Sequence, residues 1–98
     1  MNRADAIVML RERAPIIRAR GACALYLYGS TARDEAKPKS DLDLFIEYDP
    51  NGRFNAFDLV GIKLFLEDEL NTPVDLTTRD GLHPRLREGI EQSAIRVF

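Results

Sequence analysis

Apolar side chains recur at helical spacing in three stretches of the chain. In residues 3–20 they stand three or four positions apart, and Pro15 predicts a kink or the start of a second short helix. Residues 55–70 carry the richest apolar pattern, which ends near Pro73. A third helix is expected from Pro84 onward, where apolar residues are spaced by four.

Three shorter segments, residues 24–28, 41–48 and 74–78, are predicted to be strands. The first is continuously apolar or aromatic, which is typical of a buried strand. In the other two, aliphatic residues alternate with a second set that includes aspartates, so the two sets face opposite sides of the sheet. Residues 94–98 are predicted to add a short edge strand.

A short helix is expected at residues 31–36, between the first two strands. Helices and strands therefore alternate along the chain, which predicts an α/β (α+β) fold. We expect a small mixed sheet of three to four strands with helices packed on one face. With 98 residues in total, the sequence predicts a single domain over residues 1–98.

Charge and cysteine content narrow the classes of function. The 14 basic and 16 acidic residues give a net charge of −2, which disfavours direct binding to nucleic acid. The lone cysteine, Cys23, cannot form an internal disulfide, so we expect a reducing, cytoplasmic location. No apolar run approaches the length of a membrane span, and no membrane association is expected.

Two aspartates in the second strand are the first candidates for chemistry. Asp41 and Asp43 stand two residues apart, so their carboxylates project from the same face of the strand. Mg²⁺ prefers such oxygen ligands, usually with phosphate oxygens and water completing its shell. The alternative is a solvated strand face, although aspartate is depleted in strands. Asp75 in the third strand could join the pair if the two strands are neighbours.

The turn at Gly29 and Ser30 is the second candidate. It follows a strand directly and precedes the short helix, so its backbone N–H groups and the serine hydroxyl could hold phosphate oxygens. Arg33 lies one turn further on and could clamp a phosphate. The alternatives are an ordinary strand-to-helix turn and a solvated surface arginine.

Together these segments resemble the nucleotidyltransferases of the DNA polymerase beta superfamily. Residues 27–33 read Leu-Tyr-Gly-Ser-Thr-Ala-Arg, and residues 40–44 read Ser-Asp-Leu-Asp-Leu. Ten residues separate Ser30 from Asp41, matching the family pattern of Gly-Ser followed by Asp-x-Asp. Residues 73–76, Pro-Val-Asp-Leu, are similar to the strand that brings the third carboxylate, and the length resembles that of the minimal nucleotidyltransferase (MNT) subgroup.

The resemblance implies a role for each matched residue. Asp41, Asp43 and Asp75 would be catalytic and would hold two Mg²⁺ ions. Gly29, Ser30 and Arg33 would bind the phosphates of a nucleoside triphosphate, with ATP as substrate. Two such ions would stabilise the attacking and leaving oxygens while a hydroxyl displaces pyrophosphate.

The resemblance also implies a partner protein. Minimal members commonly pair with HEPN-domain toxins in toxin–antitoxin modules, and active members transfer AMP from ATP to a tyrosine of the toxin. We therefore expect an Mg²⁺-dependent protein adenylyltransferase that acts as an antitoxin. Two alternatives stay open: an antitoxin that neutralises its toxin by contact alone, and a nucleotidyltransferase with a small-molecule acceptor. The acceptor, the base preference and homo-oligomer formation are not determined by the sequence.

The helix over residues 55–70 has more apolar surface than one sheet face can cover. One stripe contains Leu59, Ile62, Phe65, Leu66 and Leu70. A second arc consists of Phe57, Val60 and Leu64. We expect this second arc to pack against another helix of the same chain, the alternative being a surface for a partner.

Overall fold

The computed structural model describes all of residues 1–98. Its helices are α1 (Arg3–Glu12), α2 (Ala14–Ala19), α3 (Gly29–Ala32), α4 (Ala56–Leu70) and α5 (Pro84–Ser93). Its strands are β1 (Ala22–Tyr28), β2 (Leu42–Tyr48), β3 (Val74–Thr78) and β4 (Ile95–Arg96), and a 3₁₀ turn spans Arg79–Gly81. No helix is both long enough and apolar enough to cross a lipid bilayer.

Local sequence signals explain most helix boundaries. Pro15 stands in the first turn of α2, so it starts a new helix after α1 rather than kinking one long helix. Asn55 and Asp58 form a reciprocal capping box at the start of α4, and Asn71 ends that helix in the left-handed conformation at φ 49°. The helix expected at residues 31–36 is wrong in its bounds, because α3 begins at Gly29 and ends before Asp34, whose φ is 60°.

The strands form one mixed sheet in the order β3-β2-β1-β4. β1 pairs antiparallel with both β2 and β4, while β2 and β3 run parallel, connected through α4. This confirms the expected small mixed sheet, with β4 as the short edge strand. The parallel pairing has a direct consequence for the candidate site, since it brings the start of β3 alongside the start of β2.

One face of the sheet is packed against α1, α2 and α4, so the predicted one-sided layer of helices holds for these three and not for α5. The apolar side of β2 and β3, which includes Leu44 and Leu76, is buried there against Ile62 and Leu66 of α4. Tyr26 and Phe45 lie on the opposite face, stacked at 4.7 Å between ring centroids. The 3₁₀ turn and α5 lie along this second face and leave a cleft beside them.

The second apolar arc of α4 is exposed, so the expectation that it packs inside the chain is wrong. Phe57 is 88% exposed, Val60 49% and Leu64 56%. The buried side of α4 consists of Ile62, Leu66 and Leu70. Because α5 lies on the other face of the sheet, it cannot cover the outer side of α4.

Candidate active site

The parallel register between β2 and β3 brings two of the predicted carboxylates together. Asp43 is the direct partner of Asp75, and both side chains lie on the sheet face opposite the main core. Val74 and Leu76 on either side of Asp75 are buried, which fixes this register. Asp41 immediately precedes β2 and is exposed. Its charge acts on the carboxyl of Asp43.

Gly29 packs directly against the carboxylate of Asp43. It directly follows β1 and begins α3 with φ +74°, in the left-handed region that favours glycine. A Cβ atom built at this position would overlap the Oδ2 atom of Asp43 and lie 3.1 Å from its Cγ. The glycine is therefore required by its conformation and by the space that the carboxylate occupies. Ser30 follows in the first turn of α3 and is partly buried.

The electrostatic environment of Asp43 is unfavourable for its negative charge. Burial raises the pKa of this carboxyl, and the charges of Asp75 and Asp41 raise it further, while Arg33 lowers it. Bringing a cation among these oxygens would relieve the repulsion. The donor set therefore fits a hard divalent ion such as Mg²⁺.

The carboxylates do not form a complete metal-binding group by themselves. No three His, Cys, Asp or Glu side chains of the chain come together as a group that could hold an ion. Mg²⁺ commonly takes only one or two protein carboxylates and completes its shell with water and substrate phosphates. The arrangement is thus suited to an ion that arrives with a nucleotide.

Tyr28 lies beside the carboxylate pair on the neighbouring strand. It is the direct partner of Asp43 in the antiparallel pairing of β1 and β2. Burial raises the pKa of its hydroxyl to about 12, and the charges of Asp43 and Asp75 contribute to this shift. The phenol is therefore neutral at physiological pH and can donate a hydrogen bond into the cleft.

Two adjacent cavities lie between the sheet and α5. The carboxylate cleft, of about 380 Å³, is lined by Asp43 and Asp75 and, on the opposite side, by His83. The arginine cleft, of about 440 Å³, is lined by Gly29 together with Arg33 and Arg85. Tyr28, Leu86 and Ile90 line both cavities, so the two are adjacent. A negative and a positive subsite therefore lie side by side.

Arg33 lines the arginine cleft together with Gly29, and its role as a phosphate clamp stays a prediction. Its Nε lies 3.1 Å from an oxygen of Glu35, and both side chains are largely exposed. An exposed pair of this kind is weak, so Arg33 can exchange Glu35 for a phosphate at little cost.

Arg85 and His83 line the two clefts and are not among the site residues predicted from the sequence. Nδ1 of His83 accepts a hydrogen bond from the backbone N–H of Arg85 at 3.2 Å and so caps α5. Arg85 forms no ion pair within the chain, and its charge is available to the arginine cleft. The only sequence signal for His83 and Arg85 was that they flank Pro84, which is expected to begin a helix.

A polar clamp holds α5 against the sheet. The guanidinium of Arg79 lies 2.6 Å from an oxygen of Glu47 on β2 and 2.8 Å from an oxygen of Glu91 on α5. It also lies over the rings of Tyr26 and Phe45, at 5.0 and 5.2 Å from their centroids. The clamp fixes the wall of the carboxylate cleft that α5 provides.

Comparisons with known proteins agree with this geometry. A provisionally named protein adenylyltransferase from Methanocaldococcus jannaschii is 36% identical over 88 residues, which is 90% of this chain and 92% of that protein. A solved structure described provisionally as a minimal nucleotidyltransferase superposes with a TM-score of 0.81 at 34% identity. The superposition covers 97% of this chain and 95% of the chain in that solved structure.

A more distant similarity concerns the fold alone. The structure of a tri-AMPylated Shewanella oneidensis HEPN toxin in complex with its MNT antitoxin matches with a TM-score of 0.64 at 14% identity, over 90% of this chain and 68% of that chain.

The sequence profile of the nucleotidyltransferase domain matches residues 11–97, which is most of the chain. This chain therefore belongs to the nucleotidyltransferase domain family and is a minimal nucleotidyltransferase.

Proposed function

We propose that this chain is an Mg²⁺-dependent protein adenylyltransferase. It transfers AMP from ATP to a tyrosine hydroxyl of a HEPN-domain toxin and thereby acts as the antitoxin of that toxin. The observation that carries the proposal is the in-register pairing of Asp43 with Asp75, with Asp41 two residues away and Gly29 packed against Asp43.

Each residue of the site has a part in this reaction. Asp41, Asp43 and Asp75 would hold two Mg²⁺ ions together with phosphate oxygens and water, and the ions would supply neutralisation of phosphate charge. Gly29 and Ser30 bind the triphosphate, and Arg33 and Arg85 attract its charge into the arginine cleft. The bound nucleotide then has its α-phosphate next to the carboxylate cleft.

The acceptor hydroxyl enters from the carboxylate cleft. Its oxygen bonds to the α-phosphorus, and the bond between that phosphorus and the pyrophosphate oxygen breaks. The proton of the hydroxyl passes to Asp75, which is exposed at the start of β3 and accessible to an incoming side chain. The products are an AMP–tyrosine ester and pyrophosphate.

A protein acceptor is supported by the shape of the site and by the relatives. Both clefts are open, and none of the helices and strands described above encloses a small acceptor. A macromolecular partner supplies the missing wall of the site. The M. jannaschii relative is provisionally named a protein adenylyltransferase, and the S. oneidensis complex contains an AMPylated HEPN toxin.

The test is an intact-mass measurement of the HEPN-domain toxin proposed as the acceptor. After incubation with this chain, ATP and Mg²⁺, we expect the toxin to gain the mass of one or more AMP units. Asp43→Asn is the matched inactive variant, because it keeps the size and the hydrogen-bonding capacity of the side chain. Mapping the modified residue by peptide sequencing should identify a tyrosine.

Three results would each change the assignment. Blocked toxin activity without any gain in mass indicates neutralisation by contact. Transfer of AMP only to a small molecule indicates a nucleotidyltransferase with a small-molecule acceptor. Modification that persists in the Asp43→Asn variant means that the carboxylate pair is not the catalytic group.

A further inference from the structure

The outer side of α4 carries a seam of exposed side chains with a half-buried glycine at its centre. The seam consists of Phe57, Val60, Leu64 and Asp68, which follow one another at intervals of three or four, together with Gly61 next to Val60. It lies opposite the buried side of the helix. Phe57 is the most exposed large apolar residue of the chain. An apolar helix face of this kind marks an interaction surface.

Gly61 at the centre of the seam is not explained by the packing of the chain itself. A Cβ built there would meet only Nη1 of Arg20 at 3.5 Å, an ordinary contact with the end of a flexible side chain. Glycine also weakens a helix relative to alanine. The chain thus keeps an unfavourable residue where its own fold would accept a larger one. A hollow in this position permits close approach of another backbone.

The seam is self-complementary when it is reversed end to end. Phe57 and Leu64 are equally distant from the midpoint between Val60 and Gly61. Arg53, in the non-helical segment before the helix, and Asp68, near the helix end, are also equally distant from that midpoint in the sequence. Both charged residues are exposed, and neither forms an ion pair within the chain. Such symmetry of shape and charge is what a twofold interface between identical chains requires.

We propose that a second copy of this chain docks antiparallel on the seam, forming a twofold-symmetric dimer. Phe57 of each copy packs on Leu64 of the other, and Arg53 of each lies near Asp68 of the other. Val60 of each copy, next to the twofold axis, lies against Gly61 of the other, and the absence of a side chain at Gly61 lets the two helices approach closely.

The dimer leaves both active sites free. The seam lies on the outer side of α4, and α4 covers the sheet face opposite the one that bears Asp43 and Asp75. Each copy can therefore bind nucleotide and acceptor independently. The proposal thus does not depend on the proposed function and can be tested on the isolated chain.

The first experiment is sedimentation equilibrium of the isolated chain over the micromolar range. We expect a concentration-dependent monomer–dimer equilibrium for the wild type. Val60→Glu puts two like charges beside the twofold axis and should weaken dimerisation by more than about a hundredfold. Val8→Glu, at an exposed valine of α1, is the matched control and should dimerise like the wild type. Circular dichroism should give the same folded spectrum for all three proteins.

The second experiment tests the antiparallel register. Arg53→Glu alone should weaken the dimer by about tenfold at low salt, because both symmetric ion pairs become repulsive. Adding Asp68→Arg should restore the wild-type affinity, since the charges are then exchanged and again complementary. Phe57→Lys, at a side chain almost fully in solvent, gives a second disrupted dimer that does not depend on the fold accepting Val60→Glu.

A wild-type chain that stays monomeric throughout the concentration range overturns the proposal. The same holds if Val60→Glu and Phe57→Lys dimerise like the wild type, or if the exchanged charges fail to restore the dimer. A monomer in which Val60→Glu abolishes only the binding of a toxin also overturns it, because the seam is then a surface for a different protein.

Discussion

Replacing Gly29 with alanine tests whether the turn after β1 positions the carboxylate of Asp43. The new Cβ would overlap Oδ2 of Asp43, and the backbone φ of +74° disfavours any L-residue. The left-handed conformation alone should cost about 1–2 kcal/mol of folding free energy. The overlap also forces the carboxylate to move by about 1 Å, and a displacement of that size costs about 100-fold in rate.

Gly21 provides a matched control at the other end of β1. It has φ +113°, and a Cβ there would lie 2.7 Å from the Phe54 ring, away from the carboxylates. Gly21→Ala should therefore lose a similar amount of stability in urea denaturation. AMP transfer, measured with radiolabelled ATP at a temperature where both variants are folded, should fall by about 100-fold only in Gly29→Ala.

Equal transfer rates in the two alanine variants would refute the reasoning. In that case the carboxylate of Asp43 tolerates displacement, and the glycine serves only the backbone conformation. Calorimetric titration with Mg²⁺ and ATP separates the two explanations further, because only displacement of Asp43 should weaken binding of the Mg²⁺–ATP complex. Binding of free ATP without Mg²⁺ should be equally weak in both variants.

Four further predictions concern the same site. Asp43→Asn should abolish transfer and should stabilise the metal-free protein at neutral pH in thermal denaturation. Because the pKa of Asp43 is raised in the folded protein, its carboxyl destabilises the fold increasingly as the pH rises above the ordinary carboxyl pKa, and the stability gained by the variant should vanish below about pH 4. Ser30→Ala should weaken Mg²⁺–ATP binding in calorimetry by about 1–2 kcal/mol, the loss of a hydrogen bond to a charged group. Arg85→Ala should weaken the same binding severalfold at low salt and less at high salt, whereas a salt-independent loss would contradict its role as a point charge. Arg79→Ala should cost about 1–3 kcal/mol in urea denaturation, and Arg79→Lys should not restore it, because only a planar guanidinium can pair with two carboxylates while lying over two rings.

The sequence predicts the strands and the main helix because their signals are local. Residues 41–48 and 74–78 alternate with a period of two, and the observed strands differ from these bounds by at most one residue. Asn55 and Asp58 are the side chains that a capping box needs, and the helix begins where they stand. The proximity of Asp43 and Asp75 also follows from the sequence once the two strands are taken as neighbours.

The position of α5 could not be predicted, because it depends on contacts between distant parts of the chain. Arg79 joins Glu47 on β2 to Glu91 on α5, and no periodicity in the sequence indicates that connection. The presence of His83 and Arg85 at the cleft follows from that placement. For the same reason the outer arc of α4 was expected to be covered, whereas the helix that could have covered it lies on the other side of the sheet.

The register of β3 connects correct folding to catalytic competence. A slip of one residue would turn Asp75 into the apolar layer and expose Val74 and Leu76 to water, so the slipped chain would lose core burial and bury a charge. A chain that has buried these apolar side chains has therefore already aligned Asp43 with Asp75. Because β2 and β3 are parallel and separated by α4, their alignment requires closure of a long loop, which is an intrinsically slow step. Refolding chains should accordingly gain catalytic competence in one late step, the pairing of β2 with β3, without accumulating a compact form that lacks the site.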